Sequence, residues 1–302
     1  MSERDETNYQ EFVVEDAAGR FLEVATLGEP GGRTVFFHHG TPGSAPLLRS
    51  LAPLAAHADL LLVTASRPGY GQSSRRAGRS IADQVDDVTT VLEHLGRSRY
   101  ASLGWSGGGP HALACGALDA PRCVGAWSIA GVVPIDAGFD WTEGMGPENL
   151  EEFRLSLEGG EAYEEHMRGA GEQFATANAD NIVALFGGLL SDVDRAALVD
   201  ETSREVLATS SRQAFATGTW GFYDDDRAFF SPWGFDPADI AVPVSVWYGD
   251  QDLMVPATHG DWLSARIAGV RVHHLSAEGH LSIVSNHLDE LADELVGAFD
   301  SL

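Results

Sequence analysis

Short apolar runs of β-prone residues alternate with helical stripes along most of the chain. Glu11 to Glu15 and Phe21 to Leu27 read as two strands joined by the turn Asp16-Ala17-Ala18-Gly19, an antiparallel opening hairpin. Thr34 to His38, Leu60 to Thr64, Tyr100 to Gly104 and Val124 to Ile129 read as buried central strands, and Val242 to Tyr248 and Val270 to Leu275 resume the series. Between them lie helical patterns. Ser80 is expected to cap a helix with Asp83 at its third position and a stripe of Ile81, Val85, Val88, Leu92 and Leu95, ending at Gly96. A helix is expected over Ala257 to Ile267, and a closing one carries Leu288, Leu291, Leu295 and Phe299 on one face. Strands that alternate with helices argue for an α/β fold, a mostly parallel eight-stranded sheet with helices on both faces.

The alternation stops after Gly131. From 132 to 239 the pattern is helical, with candidate helices near Pro147–Glu158, Glu161–Ala175, Ala179–Phe186, Asp192–Leu198 and Arg204–Phe215. The organisation expected is a core of residues 1–131 and 240–302 with a helical cap, 132–239, inserted between two strands. Trp141, Met145, Phe153, Phe174, Phe186, Phe215, Trp220, Phe222 and Trp233 are scattered through that cap. Most should form its own core, and a minority should line an apolar pocket.

The candidate chemistry sits where strands end. Tyr100 to Gly104 runs through Trp105-Ser106-Gly107-Gly108-Gly109 into a small-residue helix, a G-x-S-x-G pattern with Gly104 and Gly108 flanking Ser106. A sharp strand-to-helix turn leaves no room for β-carbons at those glycines and makes the serine hydroxyl stand proud. The Gly107 amide, at the helix N-terminus, can then donate to a developing oxyanion. After the earlier strand comes His38-His39-Gly40-Thr41-Pro42-Gly43, where the Thr41 amide is the second expected donor, Pro42 is a candidate for a cis peptide and His39 is expected to buttress the loop. Two carboxylates, Asp250 and Asp252, follow the strand ending at Tyr248, and His280 follows the last strand. Imidazole has the pKa needed to activate a serine, and a carboxylate can orient it. The other histidines, among them His111, His259, His273, His274 and His287, read as structural because they fall inside elements.

Composition narrows the classes. The 302 residues suffice for one large α/β domain with an insertion. A formal charge of −26 repels phosphate backbones and anionic lipid heads, so a small-molecule substrate is expected, with no nucleic acid and no membrane as partners. All 19 basic residues are arginine, which excludes a Walker-A lysine, a lysine Schiff base, a pyridoxal phosphate anchor and a kinase lysine. Cys115 and Cys123 are expected to be buried and reduced, and no ligand spacing suggests a metal or other cofactor. The polar, acidic stretch MSERDETNYQ has no apolar signal core, so a cytoplasmic protein, monomer or homodimer, is the expectation.

The motifs FFHHGTPGS, RPGYGQSS, LGWSGGGPHALA, WYGDQDLMVP and AEGHLS occur in one order over roughly residues 34 to 282, and in them the chain resembles the α/β-hydrolase superfamily, cap-bearing serine branch. The resemblance implies Ser106 as nucleophile, His280 as general base, Asp252 rather than Asp250 as the acid through a G-x-x-D pattern from Gly249, and Thr41 and Gly107 as oxyanion donors, with His39, Gly40, Gly104 and Gly108 as motif support. Many relatives have Asp where this chain has Ser66, a change expected to alter loop support rather than chemistry. The implied reaction is hydrolysis of a carboxylic ester of a small to medium apolar substrate through an acyl-enzyme, without a cofactor. Epoxide hydrolases and haloalkane dehalogenases use an Asp at the elbow, so their reactions are disfavoured. A prolyl-aminopeptidase-like activity would need cap carboxylates such as Glu143, Glu148 or Glu161 to bind an amine, although these read as solvated helix faces. Carbon–carbon bond hydrolysis and cofactor-free perhydrolysis share the triad, and the intact triad speaks against a non-catalytic ligand-binding relative.

Overall fold

The period-two alternation of each strand divides its side chains between two apolar cores, which is how a single sheet carries helices on both faces. On β4 (Leu60–Ala65), Leu60 and Leu62 enter one core while Leu61 and Val63 enter the other. On β3 (Arg33–His38), Val35 and Phe37 part from Phe36 in the same way. The computed structural model describes residues 8–301. Its remaining strands are β1 (Gln10–Glu15), β2 (Phe21–Gly28), β5 (Tyr100–Trp105), β6 (Cys123–Ile129), β7 (Val244–Gly249) and β8 (Arg271–Leu275).

They form one eight-stranded sheet in the order β1-β2-β4-β3-β5-β6-β7-β8. β1 pairs antiparallel with β2, and β2 antiparallel with β4; every later pairing is parallel. The opening hairpin and mostly parallel sheet are thus as the hydrophobic pattern predicts. The sheet changes direction of growth between β3 and β5, so the ends of these strands flank a crevice where ligands bind in open α/β sheets.

Helices α1 (Ala52–His57), α2 (Gln84–His94) and α3 (Gly109–Leu118) connect the first six strands. Between β6 and β7 lie only helices and loops: α4 (Pro147–Glu158), α5 (Glu161–Phe174), α6 (Ile182–Leu185), α7 (Asp192–Ala197), α8 (Glu201–Ala214) and α9 (Trp220–Phe229). α10 (Ala257–Arg266), α11 (Ser282–Asn286) and α12 (Leu288–Asp300) complete the chain. None of the helices among the described residues is long and apolar enough to cross a membrane.

Two differences from the sequence expectation have physical causes. The helix expected from Ser80 begins at Gln84. Asp83 takes the Ser80 amide at 2.7 Å as a capping carboxylate does, but the Gln84 and Val85 amides reach back only three residues, to the Ile81 (3.3 Å) and Ala82 (3.1 Å) carbonyls, so the first expected turn is wound more tightly than an α-helix. The other is α9, which covers a stretch with no helix expected. Its three consecutive aspartates, Asp224, Asp225 and Asp226, are all buried. Cys115 on α3 and Cys123 on β6 are buried and unbridged, and burial pushes the Cys115 thiol up to about 11.

Candidate active site

Ser106 is the point where β5 turns into the short helical turn Ser106–Gly108 ahead of α3, and its φ of 56° lies in the left-handed region that side chains other than glycine rarely adopt. The flanking glycines make the turn sterically possible. A Cβ on Gly104 would stand 2.2 Å from the Gly108 carbonyl oxygen, and one on Gly108 would stand 2.0 Å from the His38 carbonyl oxygen. Either would force the elbow open.

The loop after β3 lies directly against this turn. An ideal Cβ at Gly40 would be 3.4 Å from Ser106 Cβ, and one at Gly107 only 2.3 Å from Thr41 Oγ1, so Thr41 and Gly107 are in contact beside the serine. The Thr41–Pro42 peptide bond is cis. His39 Nδ1 lies 2.7 Å from the Gly40 carbonyl and its Nε2 accepts from the Arg67 amide at 3.0 Å, which requires the neutral ring protonated on Nδ1. Burial, reinforced by the Arg67 charge, keeps that ring well below its ordinary pKa. His39 therefore braces the loop. Ser66 accepts from the Ala45 amide at 2.8 Å and donates its hydroxyl to Glu23, a buried side chain on β2.

On the other side, His280 Nδ1 donates to Asp252 Oδ2 at 2.8 Å, with both side chains sealed from solvent. Asp252 Oδ1 accepts the Met254 and Val255 amides, each at 2.8 Å, which fixes the carboxylate. Burial alone would lower the His280 pKa. The Asp252 charge, its hydrogen bond and the charge of Asp194 outweigh burial and hold the imidazole above its ordinary value. Asp250, two residues earlier, is exposed and paired with His274 on the surface. Trp105 links the two halves of the site: its indole Nε1 donates to the His280 carbonyl at 3.0 Å, and the two rings lie 5.2 Å apart. Among the described residues no hydrogen bond joins Ser106 Oγ to His280, whose side chain is paired with Asp252.

Residues that the sequence pattern did not point to hold both loops. Asp194 on α7 accepts the amides of His280 (3.1 Å), Leu281 (2.7 Å) and Ser282 (3.1 Å), so a cap helix grips the histidine loop by its backbone. Asp225 on α9 accepts from Thr41 Oγ1 (2.7 Å), Tyr70 OH (2.9 Å), Arg67 Nη2 (2.7 Å) and Arg79 Nη2 (2.7 Å). Arg67 in turn donates to the Gly40 carbonyl at 2.9 Å. Burial disfavours the ionised Asp225, but Arg67 and Arg79 outweigh it and keep the carboxyl well below its usual range. The available sequence signal was Arg67 inside the R-P-G-Y-G turn; nothing local marked its partner, 158 residues away.

A cavity of 310 Å³ opens over Ser106, Thr41 and Gly107 and is roofed by α4, α5 and α9. Phe153, Phe174, Phe186 and Phe222 line it, whereas Trp141, Met145, Phe215, Trp220 and Trp233 do not. Trp141 and Met145 belong to the main apolar core, and Trp220 is exposed under Arg75. Of the cap carboxylates considered for amine binding, Glu143 and Glu161 are exposed and Glu148 sits at the cavity margin, accepting from the Gly188 amide at 2.8 Å. Glu152 and Asp226 also line the cavity, and neither stood out in the sequence.

The sequence pattern of the alpha/beta hydrolase fold matches residues 33–286. A non-heme haloperoxidase of Rhodococcus erythropolis is 25% identical over 229 residues, 74% of this chain and 77% of that protein. In structure the chain is similar to an esterase from Rhodococcus sp. ECU1013, with a TM-score of 0.65, 20% identity and coverage of 96% of this chain and 100% of that one. It is also similar to epoxide hydrolase A of Mycobacterium thermoresistibile, with a TM-score of 0.65, 20% identity and coverage of 98% and 99%. With that sequence match over most of its length and the sheet order and elbow described above, the chain belongs to the alpha/beta hydrolase fold family, as a hydrolase.

Proposed function

We propose that the chain cleaves carboxylic esters through an acyl-enzyme on Ser106. The observation that carries this reading is the sealed Asp252–His280 pair at 2.8 Å, bound through Trp105 to the strand end that bears a left-handed serine. In this reading the imidazole Nε2 takes the Ser106 proton as Oγ attacks the ester carbonyl carbon. Asp252 keeps Nδ1 protonated and stabilises the imidazolium as it forms. The tetrahedral oxyanion is received by the amides of Thr41 and Gly107, each such donor being typically worth about 2.7–4 kcal/mol. The alcohol leaves with the proton from His280. Water, deprotonated by the same imidazole, then attacks the acyl carbon and releases the acid. The aromatic lining of the cavity favours a small to medium apolar acyl or alkyl group.

The test is covalent labelling of Ser106 by a fluorophosphonate, with turnover of a panel of p-nitrophenyl esters. Ser106→Ala is expected to lose both; labelling at another serine, or turnover retained in the variant, would overturn the reading. Similarity to a haloperoxidase favours a second reaction at the same acyl-enzyme, in which hydrogen peroxide replaces water and a peracid is released. Peracid formation from an ester and added peroxide measures it directly.

A further inference from the structure

One face of α9 looks into the cavity over Ser106. Its lining residues are Phe222, Asp226 and Phe229, at i, i+4 and i+7, so a carboxyl stands in the middle of an otherwise aromatic helix face. Phe229 marks how close this face is to the reacting centre, since its Cζ would lie 2.8 Å from a Cβ on Gly107. Asp226 is three residues back on the same helix, ~4.5 Å along the axis.

The polar bookkeeping around Asp226 is incomplete in one place. Tyr163 OH donates to Oδ2 at 2.8 Å, while Oδ1 is fully buried and has no hydrogen-bond partner among the described residues. Glu152, on the facing side of α4, lines the same cavity. No hydrogen bond joins the two carboxyls and no salt bridge reaches either among the described residues. No cation pairs with them among the described residues: Tyr163 is neutral, His166 on α5 is pushed below its ordinary pKa by burial, Glu148 and Asp225 are acidic, and Arg227, whose charge opposes the rise at Asp226 without offsetting it, sends Nη1 to the Ser156 carbonyl at 2.7 Å. Burial and the charge of Asp226 raise Glu152 well above the usual carboxyl range, and burial and the charge of Asp225 do the same to Asp226 against the Tyr163 hydrogen bond and the Arg227 charge. Two like groups at the rim of a catalytic cavity, with an acceptor left unpaired, are what a buried cation would satisfy.

We propose that this corner binds a protonated amine of the substrate, with Asp226 Oδ1 and Glu152 as its acceptors and the aromatic walls taking the apolar body. The substrate class is then an ester bearing an ammonium group, which rests on the ester-hydrolase reading above and specifies it. Asp226 and Glu152 are binding residues; neither takes part in the transfer of the acyl group.

The experiment compares L-phenylalanine methyl ester with methyl 3-phenylpropanoate, which has the same skeleton without the amine. Wild-type protein is expected to favour the ammonium ester by at least about tenfold in kcat/KM, a factor within reach of one charge-assisted contact. Asp226→Asn, and separately Glu152→Gln, should bring that ratio towards one. A ratio near one in wild type, or one unchanged in both variants, would overturn the proposal. Calorimetric binding of 2-phenylethylamine to Ser106→Ala, with and without Asp226→Asn, separates this outcome from failure of the ester reading because it needs no turnover. Binding by Ser106→Ala that is lost with Asp226→Asn supports the subsite even if neither ester is cleaved. Absence of binding, or binding indifferent to Asp226, counts against it. Thermal unfolding of each variant shows that the comparison is made between folded proteins.

Discussion

Two short acidic stretches, Asp250-Gln251-Asp252 after β7 and Asp224-Asp225-Asp226 in α9, place identical side chains in opposite circumstances. In the first, Asp250 lies on the surface beside His274 while Asp252 is sealed against His280. In the second, all three are buried, but Asp225 is held ionised by two arginines and Asp226 has one oxygen with no partner among the described residues. Burial alone therefore does not decide what a carboxyl does here. Its partners do, and they come from other elements.

The largest expected effect tests the first stretch. Asp252→Asn should lower kcat for ester hydrolysis by about four orders of magnitude, because the amide no longer enforces the Nδ1–H tautomer. Asp250→Asn, by contrast, should leave it intact. Next is Asp225→Asn, which leaves Arg67 and Arg79 buried without their counter-charge. A loss of about 3–5 kcal/mol of stability in urea unfolding is expected. Asp226→Asn removes a carboxyl that no salt bridge holds among the described residues, so unfolding should change by under about 1 kcal/mol. Equal losses at 225 and 226 would dissolve the distinction between them. The pH profile gives a finer test. The base must be neutral, and His280 is held above its ordinary value, so kcat/KM should fall as pH drops through a midpoint above 6.5. The smallest effect is Asp250→Asn on stability, within about 0.5 kcal/mol, because the pair it breaks is exposed.

The two halves of the site also differ in what makes them legible. Elbow and oxyanion loop are bound to chain-local rules: Gly104 and Gly108 have neighbours at 2.2 and 2.0 Å from where a Cβ would stand, so only glycine fits, and a five-residue pattern carries that information. Asp252 was preferred to Asp250 through the resemblance, whose G-x-x-D pattern runs here from Gly249. The cap's part has no such pattern. Asp194 grips three amides some 86 to 88 residues later in the chain, and Asp225 meets Thr41 across 184 residues. α9 was not expected because three adjacent aspartates have low helix propensity; arginines arriving from the β4–α2 loop pair with two of them and offset that cost.

The sequence by itself determined the sheet, through alternating apolar positions that can be satisfied only between two helical layers, and it determined the elbow and the order serine, acid, histidine. Those are properties of neighbouring residues and of their hydrophobic period. Tertiary structure alone decided which acidic residues are buried against arginines, which one holds the His280 loop by its backbone amides, and which pair faces the cavity over Ser106. A carboxyl's charge state depends on solvent exclusion and on the distance to arginines, tyrosines and amides far away in the chain, and no local spacing encodes those distances.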